Sequence, residues 1–171
     1  MIEVENTVVI DKPAAAVFGL VGDPIRDPEW HFDVVEASPA ANGNGRSSNG
    51  KGRVAPGTRF KWVFDYMGEG RQDADVEVKA YEPDRRLDVL AVAGPLVQTI
   101  SFRLEPVGEF STLLTRTLSL THDEIPPHME EVMKPRIQNR SAQYLARLRQ
   151  VLEDGPVENG FSGGSCACCE G

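Results

Sequence analysis

The sequence predicts an α+β domain, and three observations predict it. Apolar and polar residues alternate over residues 2–10, further alternating segments separated by turn signals run from Gly57 to His122, and beyond Pro126-Pro127 the apolar positions recur at helical spacing. With 171 residues, 40% of them hydrophobic and 26% charged, the composition is that of one ordinary globular domain. At about 150 ordered residues a chain buries roughly 70% of its unfolded surface, so the core needs neither disulfide nor metal.

The first strand is read from Ile2, Val4, Val8 and Ile10 set against Glu3, Glu5 and Thr7. Asp11 is expected to cap the helix that follows, with Pro13 in its first turn, Val17, Phe18 and Val21 on its inner face and Gly22 at its end. A second short helical start at Asp23-Pro24 is broken by Pro28, and another strand is expected over Phe32 to Ala37. Residues 40–53 (AANGNGRSSNGKGR) hold four Gly and three Asn and no large apolar side chain, which predicts a flexible loop outside the core. The loop carries Arg46, Lys51 and Arg53 without an acid.

Five antiparallel strands are expected between Gly57 and His122, divided at Met67-Gly68, Glu82-Pro83-Asp84, Ala93-Gly94-Pro95 and Pro106-Val107-Gly108. Met129, Met133, Ile137, Tyr144, Leu148 and Leu152 then mark one face of a long amphipathic helix. Pro135 removes a backbone donor inside it, so a kink or restart is expected near Lys134. Asp154-Gly155-Pro156 ends the helix, and residues 154–171 are predicted to be a disordered tail holding Cys166, Cys168 and Cys169.

The net charge of −8 disfavours nucleic acid and anionic membrane surfaces as partners. No cationic segment precedes an apolar stretch at the amino terminus, and the longest uncharged run, Val89 to Phe102, is interrupted by Gly94-Pro95. Neither a signal peptide nor a membrane insertion is expected, and a body free of thiols fits a cytoplasmic location.

The element order resembles the helix-grip fold of the START-like (SRPBCC) superfamily, which includes polyketide cyclases, dehydratases and lipid-transfer proteins. The resemblance covers roughly residues 2–153, within a domain expected at 1–153, and rests on Asp11-Lys12-Pro13-Ala14-Ala15-Ala16-Val17-Phe18 after the first strand and on Pro28-Glu29-Trp30. Pro56-Gly57-Thr58-Arg59-Phe60, Glu82-Pro83-Asp84-Arg85-Arg86-Leu87 and the closing Leu145-Ala146-Arg147-Leu148 complete it. It implies a curved antiparallel sheet wrapped around the C-terminal helix, two short helices after the first strand, and an apolar cavity between sheet and helix. It implies a small hydrophobic ligand, such as a lipid or polyketide, carried there or cyclised there, and calls for no cofactor.

Alternation after Gly57 puts Phe60, Trp62, Phe64 and Tyr66 on one face, either an aromatic cavity wall or plain packed core. Arg116 falls on the apolar face of the last strand with Leu114, Leu118 and Leu120. A guanidinium there either meets an acid or a ligand oxygen, or is carried by local twist to the sheet edge. Gln98 is a second polar candidate, and Trp30 and Met133 are expected beside the ligand. If the protein is an enzyme, Arg116 polarises a carbonyl while Tyr66 or His122 moves the proton. His31 is placed near the cavity mouth, and His128 completes the titratable set near neutrality. No metal site is expected in the domain, whereas Cys166, Cys168 and Cys169 offer three soft ligands for copper(I) or a similar ion.

Overall fold

The structure, a computed structural model, describes residues 1–40 and 54–155. The loop expected at 40–53 lies outside the described residues apart from Ala40, and so does the cysteine-bearing tail beyond Gly155.

The elements run β1 (Ile2–Ile10), α1 (Ala14–Val21), a 3-10 helix (Pro24–Glu29), β2 (Val34–Pro39), β3 (Arg59–Asp65), a short 3-10 turn (Tyr66–Gly68), β4 (Arg71–Glu82), β5 (Arg86–Ala93), β6 (Leu96–Gly108), β7 (Ser111–His122) and α2 (Pro127–Asp154). The seven strands form one antiparallel sheet in the order β1-β7-β6-β5-β4-β3-β2. The chain is therefore an α+β helix-grip fold, and the five strands expected between Gly57 and His122 are β3 to β7.

Turn chemistry sets the strand breaks. Gly94, at φ 56, begins the two-residue connection that pairs Ala93 with Leu96. Between β4 and β5, Arg85 N–H donates to the Glu82 carbonyl at 3.0 Å, with Pro83 and the left-handed Asp84 (φ 62) at the centre of the turn.

The inner faces of the strands supply most of the core. Leu114, Leu118 and Leu120 of β7 join Ile100, Phe102 and Leu104 of β6, Leu87, Val89 and Ala91 of β5, and Val76 and Val78 of β4. Ile137, Tyr144, Leu145 and Leu148 supply the face of α2. Gln138 of α2 donates to the Glu5 carbonyl at 2.6 Å, which ties the helix to edge strand β1.

Three local expectations are corrected. Asp11 does not cap α1, because the pre-proline Lys12 is kept out of the helical region and the helix starts at Ala14 with Pro13 at its N-cap, two residues beyond Asp11. Asp11 instead accepts from the Ser111 hydroxyl at 3.3 Å and donates its own N–H to Glu153. Pro135 neither ends nor restarts α2, which is one helix from Pro127 to Asp154. The proline sits on the exposed side, where water can serve the freed carbonyl. Tyr66 is not in a strand, since β3 ends at Asp65, whose carboxylate accepts from Gly70 N–H at 3.0 Å.

Among the described residues no helix is long and apolar enough to cross a membrane. Gly22 ends α1 against Phe18, and a Cβ there would meet the Phe18 ring and carbonyl at 2.6 Å. Gly22→Ala is expected to cost about 1–3 kcal/mol of stability, measured as a lower urea midpoint with unchanged slope.

Candidate functional site

A cavity of about 400 Å³ lies between the concave face of the sheet and α2, within the size range of small-molecule sites. Trp62 and Phe64 of β3, Ile100 of β6, Leu118 and Leu120 of β7, and Met133 and Ile137 of α2 make its apolar walls. Polar groups enter at defined points: Arg116 and His122 from β7, Gln98 from β6, and Arg140, Ser141 and Tyr144 from α2. His31 and Asp33 enter from the segment before β2.

Arg116 is 2% exposed. Its Nη1 donates to the Ser141 hydroxyl at 2.7 Å, while its buried Nε has no partner among the described residues. The guanidinium carbon lies 5.6 Å from the Tyr144 ring centre and 5.9 Å from that of Phe102, so aromatic faces hold the cation where carboxylates would be expected. Burial lowers its pKa to about 10. The buried Asp27 makes no hydrogen bond or ion pair with Arg116 among the described residues. Burial pushes its carboxyl well above the usual range, and the charge of Arg116 only partly opposes that.

Beside Arg116 stands a separate, balanced cluster. Arg140 donates Nε to Asp33 at 2.9 Å and a second N–H to the other carboxylate oxygen, and the Tyr144 hydroxyl also donates to Asp33. Burial alone would raise the Asp33 pKa, but the hydrogen bonds from Arg140 and Tyr144 outweigh it and leave the carboxyl below its ordinary value. Burial, and then the bond to Asp33, push the Tyr144 hydroxyl up, so it stays protonated. His31 stacks on the Tyr144 ring at 3.8 Å between centres, and its buried Nδ1 has no partner among the described residues. Burial and the nearby Arg116 charge lower its pKa to about 3, which keeps the imidazole neutral.

Of the residues expected beside a ligand, Trp62, Phe64, Tyr66, Gln98, Arg116 and Met133 all line this one cavity. Phe60 and Trp30 do not. Phe60 shares the inward face of β3 but is buried in the core, and Trp30 is closed in by Phe102 and His31. Arg116 has not twisted to the sheet edge, and the partner it finds is a hydroxyl rather than an acid. His122, six residues beyond Arg116 on the same face, is separated from it by roughly 20 Å of strand. Its Nδ1 accepts from Glu124 N–H at 3.1 Å. His128 is exposed and does not line the cavity. Among the described residues no three His, Cys, Asp or Glu side chains gather as metal ligands, and Cys166, Cys168 and Cys169 lie outside them.

Residues 1–153 match the family model described as polyketide cyclase / dehydrase and lipid transport. The chain belongs to this family. The sequence matches no curated protein. Among solved structures this family member is similar to a START superfamily protein from Mycobacterium smegmatis, at 18% identity and TM-score 0.66, covering 88% of this chain and 99% of that one. A protein of Thermus thermophilus, TTHA0849, is 20% identical with TM-score 0.64, covering 88% and 96%. The di-domain ARO/CYC protein BexL from the BE-7585A biosynthetic pathway is 16% identical with TM-score 0.66, covering 88% of this chain and 46% of BexL. At these identities the likeness concerns the fold.

Asp33, Arg140 and Ser141 are the site residues of this family member that sequence reasoning passed over. A signal for Ser141 exists in the seven-residue gap between Ile137 and Tyr144 on the apolar stripe of α2, since position 141 is the one that completes the stripe.

Two measurements test the polar cluster. Arg140→Gln leaves the Asp33 carboxylate without its paired cation and is expected to cost about 1–3 kcal/mol in urea unfolding. Folded His31 takes up a proton only near pH 3, whereas the unfolded chain does so near 6.5, so its contribution is complete above pH 6.5 and declines as the pH falls toward 3. The stability difference between the native protein and His31→Gln should therefore shrink by about 1.4 kcal/mol per pH unit below pH 6.

Proposed function

We propose that the protein binds a small, largely apolar molecule in the cavity between sheet and α2, and that holding or carrying this molecule is its function. The observation that carries the reading is Arg116. It is a fully buried guanidinium on an apolar wall, with one hydroxyl partner among the described residues and donors left over. Such a group costs stability unless an oxygen-bearing molecule meets it, and the walls around it suit an apolar body.

A second reading, cyclase or dehydratase chemistry in the same cavity, draws on Arg116, Tyr66 and His122 all being among its lining residues. Catalysis needs an acid or base within about 3 Å of the reacting atom. An atom held by Arg116 is out of reach of His122, so the proton in that reading falls to Tyr66, whose hydroxyl burial pushes above its ordinary pKa. This favours binding over turnover. Soft-metal capture by Cys166, Cys168 and Cys169 is a separate proposal about the tail, tested by copper(I) titration of the full chain against one ending at Gly160.

The binding reading is tested with 1-anilinonaphthalene-8-sulfonate, read by its emission and by quenching of Trp62, together with native mass spectrometry of the protein from its own host. Leu118→Trp, which fills the cavity, is expected to abolish fluorophore binding without loss of the cooperative thermal transition. Equal binding by the native and filled proteins overturns the reading.

A further inference from the structure

We infer that the cavity takes an elongated monoanion inserted charged end first, its anionic oxygen on Arg116 and Ser141 and a hydrogen-bonding group at its far end beside Gln98. This rests on the binding function proposed above, and it adds the ligand's charge, length and direction.

The charge follows from an inventory of what surrounds Arg116. No ion pair among the described residues includes it. Asp33 is committed twice to Arg140 and once to the Tyr144 hydroxyl. Asp27, on the neighbouring 3-10 helix, makes no hydrogen bond or ion pair with Arg116 among the described residues, and burial raises its carboxyl pKa, while His31 is kept neutral. Arg116 is thus the one arginine on the cavity wall without an ion pair among the described residues. A neutral carbonyl would use a donor but leave the positive charge uncompensated in a low-dielectric site, whereas a carboxylate or enolate supplies both.

Direction and length follow from two elements that agree. Along β7, Arg116, Leu118, Leu120 and His122 face the cavity in turn, giving a cation, two leucines and a polar end over roughly 20 Å. Along α2, Ser141, Ile137 and Met133 repeat that gradient over about 12 Å. Gln98 pairs in register with Leu120, which places its amide about 13 Å of strand from Arg116, level with the second leucine. Both walls are polar at the inner end and apolar between, so a rod-shaped molecule matches them in one orientation.

The experiment measures binding of biphenyl-4-carboxylate, its 4′-hydroxy derivative and biphenyl-4-methanol to the full-length protein by Trp62 quenching and calorimetry. The acid is expected to bind at least about tenfold tighter than the alcohol, and that preference is expected to vanish in Arg116→Met and to weaken severalfold in Ser141→Ala. The 4′-hydroxyl is expected to add a severalfold gain that Gln98→Leu removes, and Asp27→Asn is expected to leave the acid preference within twofold. Equal binding of acid and alcohol by the native protein overturns the inference while leaving the binding function standing, and so does a preference that survives in Arg116→Met. A tenfold rise in acid affinity in Asp27→Asn identifies Asp27 as the counter-ion and likewise overturns it. Binding of none of the three overturns the inference, and the binding function falls with it only if the fluorophore also binds the native and Leu118→Trp proteins equally.

Discussion

One buried cation organises the interior of this protein. Burying the Arg116 guanidinium opposes folding by an amount comparable to a large part of a domain's net stability, and the surrounding elements are arranged to contain that cost. Phe102 and Tyr144 offer ring faces, Ser141 offers an oxygen, and burial raises the pKa of the neighbouring Asp27 carboxyl. Tyr144 has two duties, since its ring flanks Arg116 while its hydroxyl is tied to Asp33 and through it to Arg140. The position of α2 against the sheet is therefore set by polar contacts at its centre as well as by the apolar stripe of Ile137, Leu145 and Leu148.

Strands and helices were legible in the sequence because each obeys a single period. β7 is the clearest case: the face of Leu114, Arg116, Leu118 and Leu120 follows from counting by two, and Arg116 was conspicuous because it broke the apolar rule of that face. Asp33 was hidden for the complementary reason. The stretch from Phe32 to Ala37 reads only as a strand, yet Phe32 is 40% exposed and lies under Arg140, while Asp33 is turned inward at 4% exposure. That inversion depends on an arginine 107 residues away, and no local pattern encodes it. The aromatic series on β3 was half legible in the same sense: the face was right, but how far the cavity extends along it is set by where α2 lies, so Phe60 is core while Trp62 and Phe64 are wall.

Membership of the polyketide cyclase / dehydrase and lipid-transport family accounts for the shell and leaves the interior to this chain's own side chains. The interior has two kinds of charge, a satisfied pair and a lone cation, a few ångströms apart. The pair holds the architecture. The cation is left with hydrogen-bonding capacity facing the cavity, which is where recognition resides in sites of this size.

The first and last strands of the chain are partners, with Ile2 opposite Leu120 and Ile10 opposite Thr112, and α2 closes over both. Such pairings span most of the sequence, and the entropy of closing so long a loop must be met before the contacts reward it. On a ribosome, β1 emerges before β7 and has no partner until more than a hundred residues later. The wall that holds Arg116 is thus completed late in synthesis, by the same segment that brings the arginine, and a chain that stops short exposes an edge strand instead of forming a smaller version of the site.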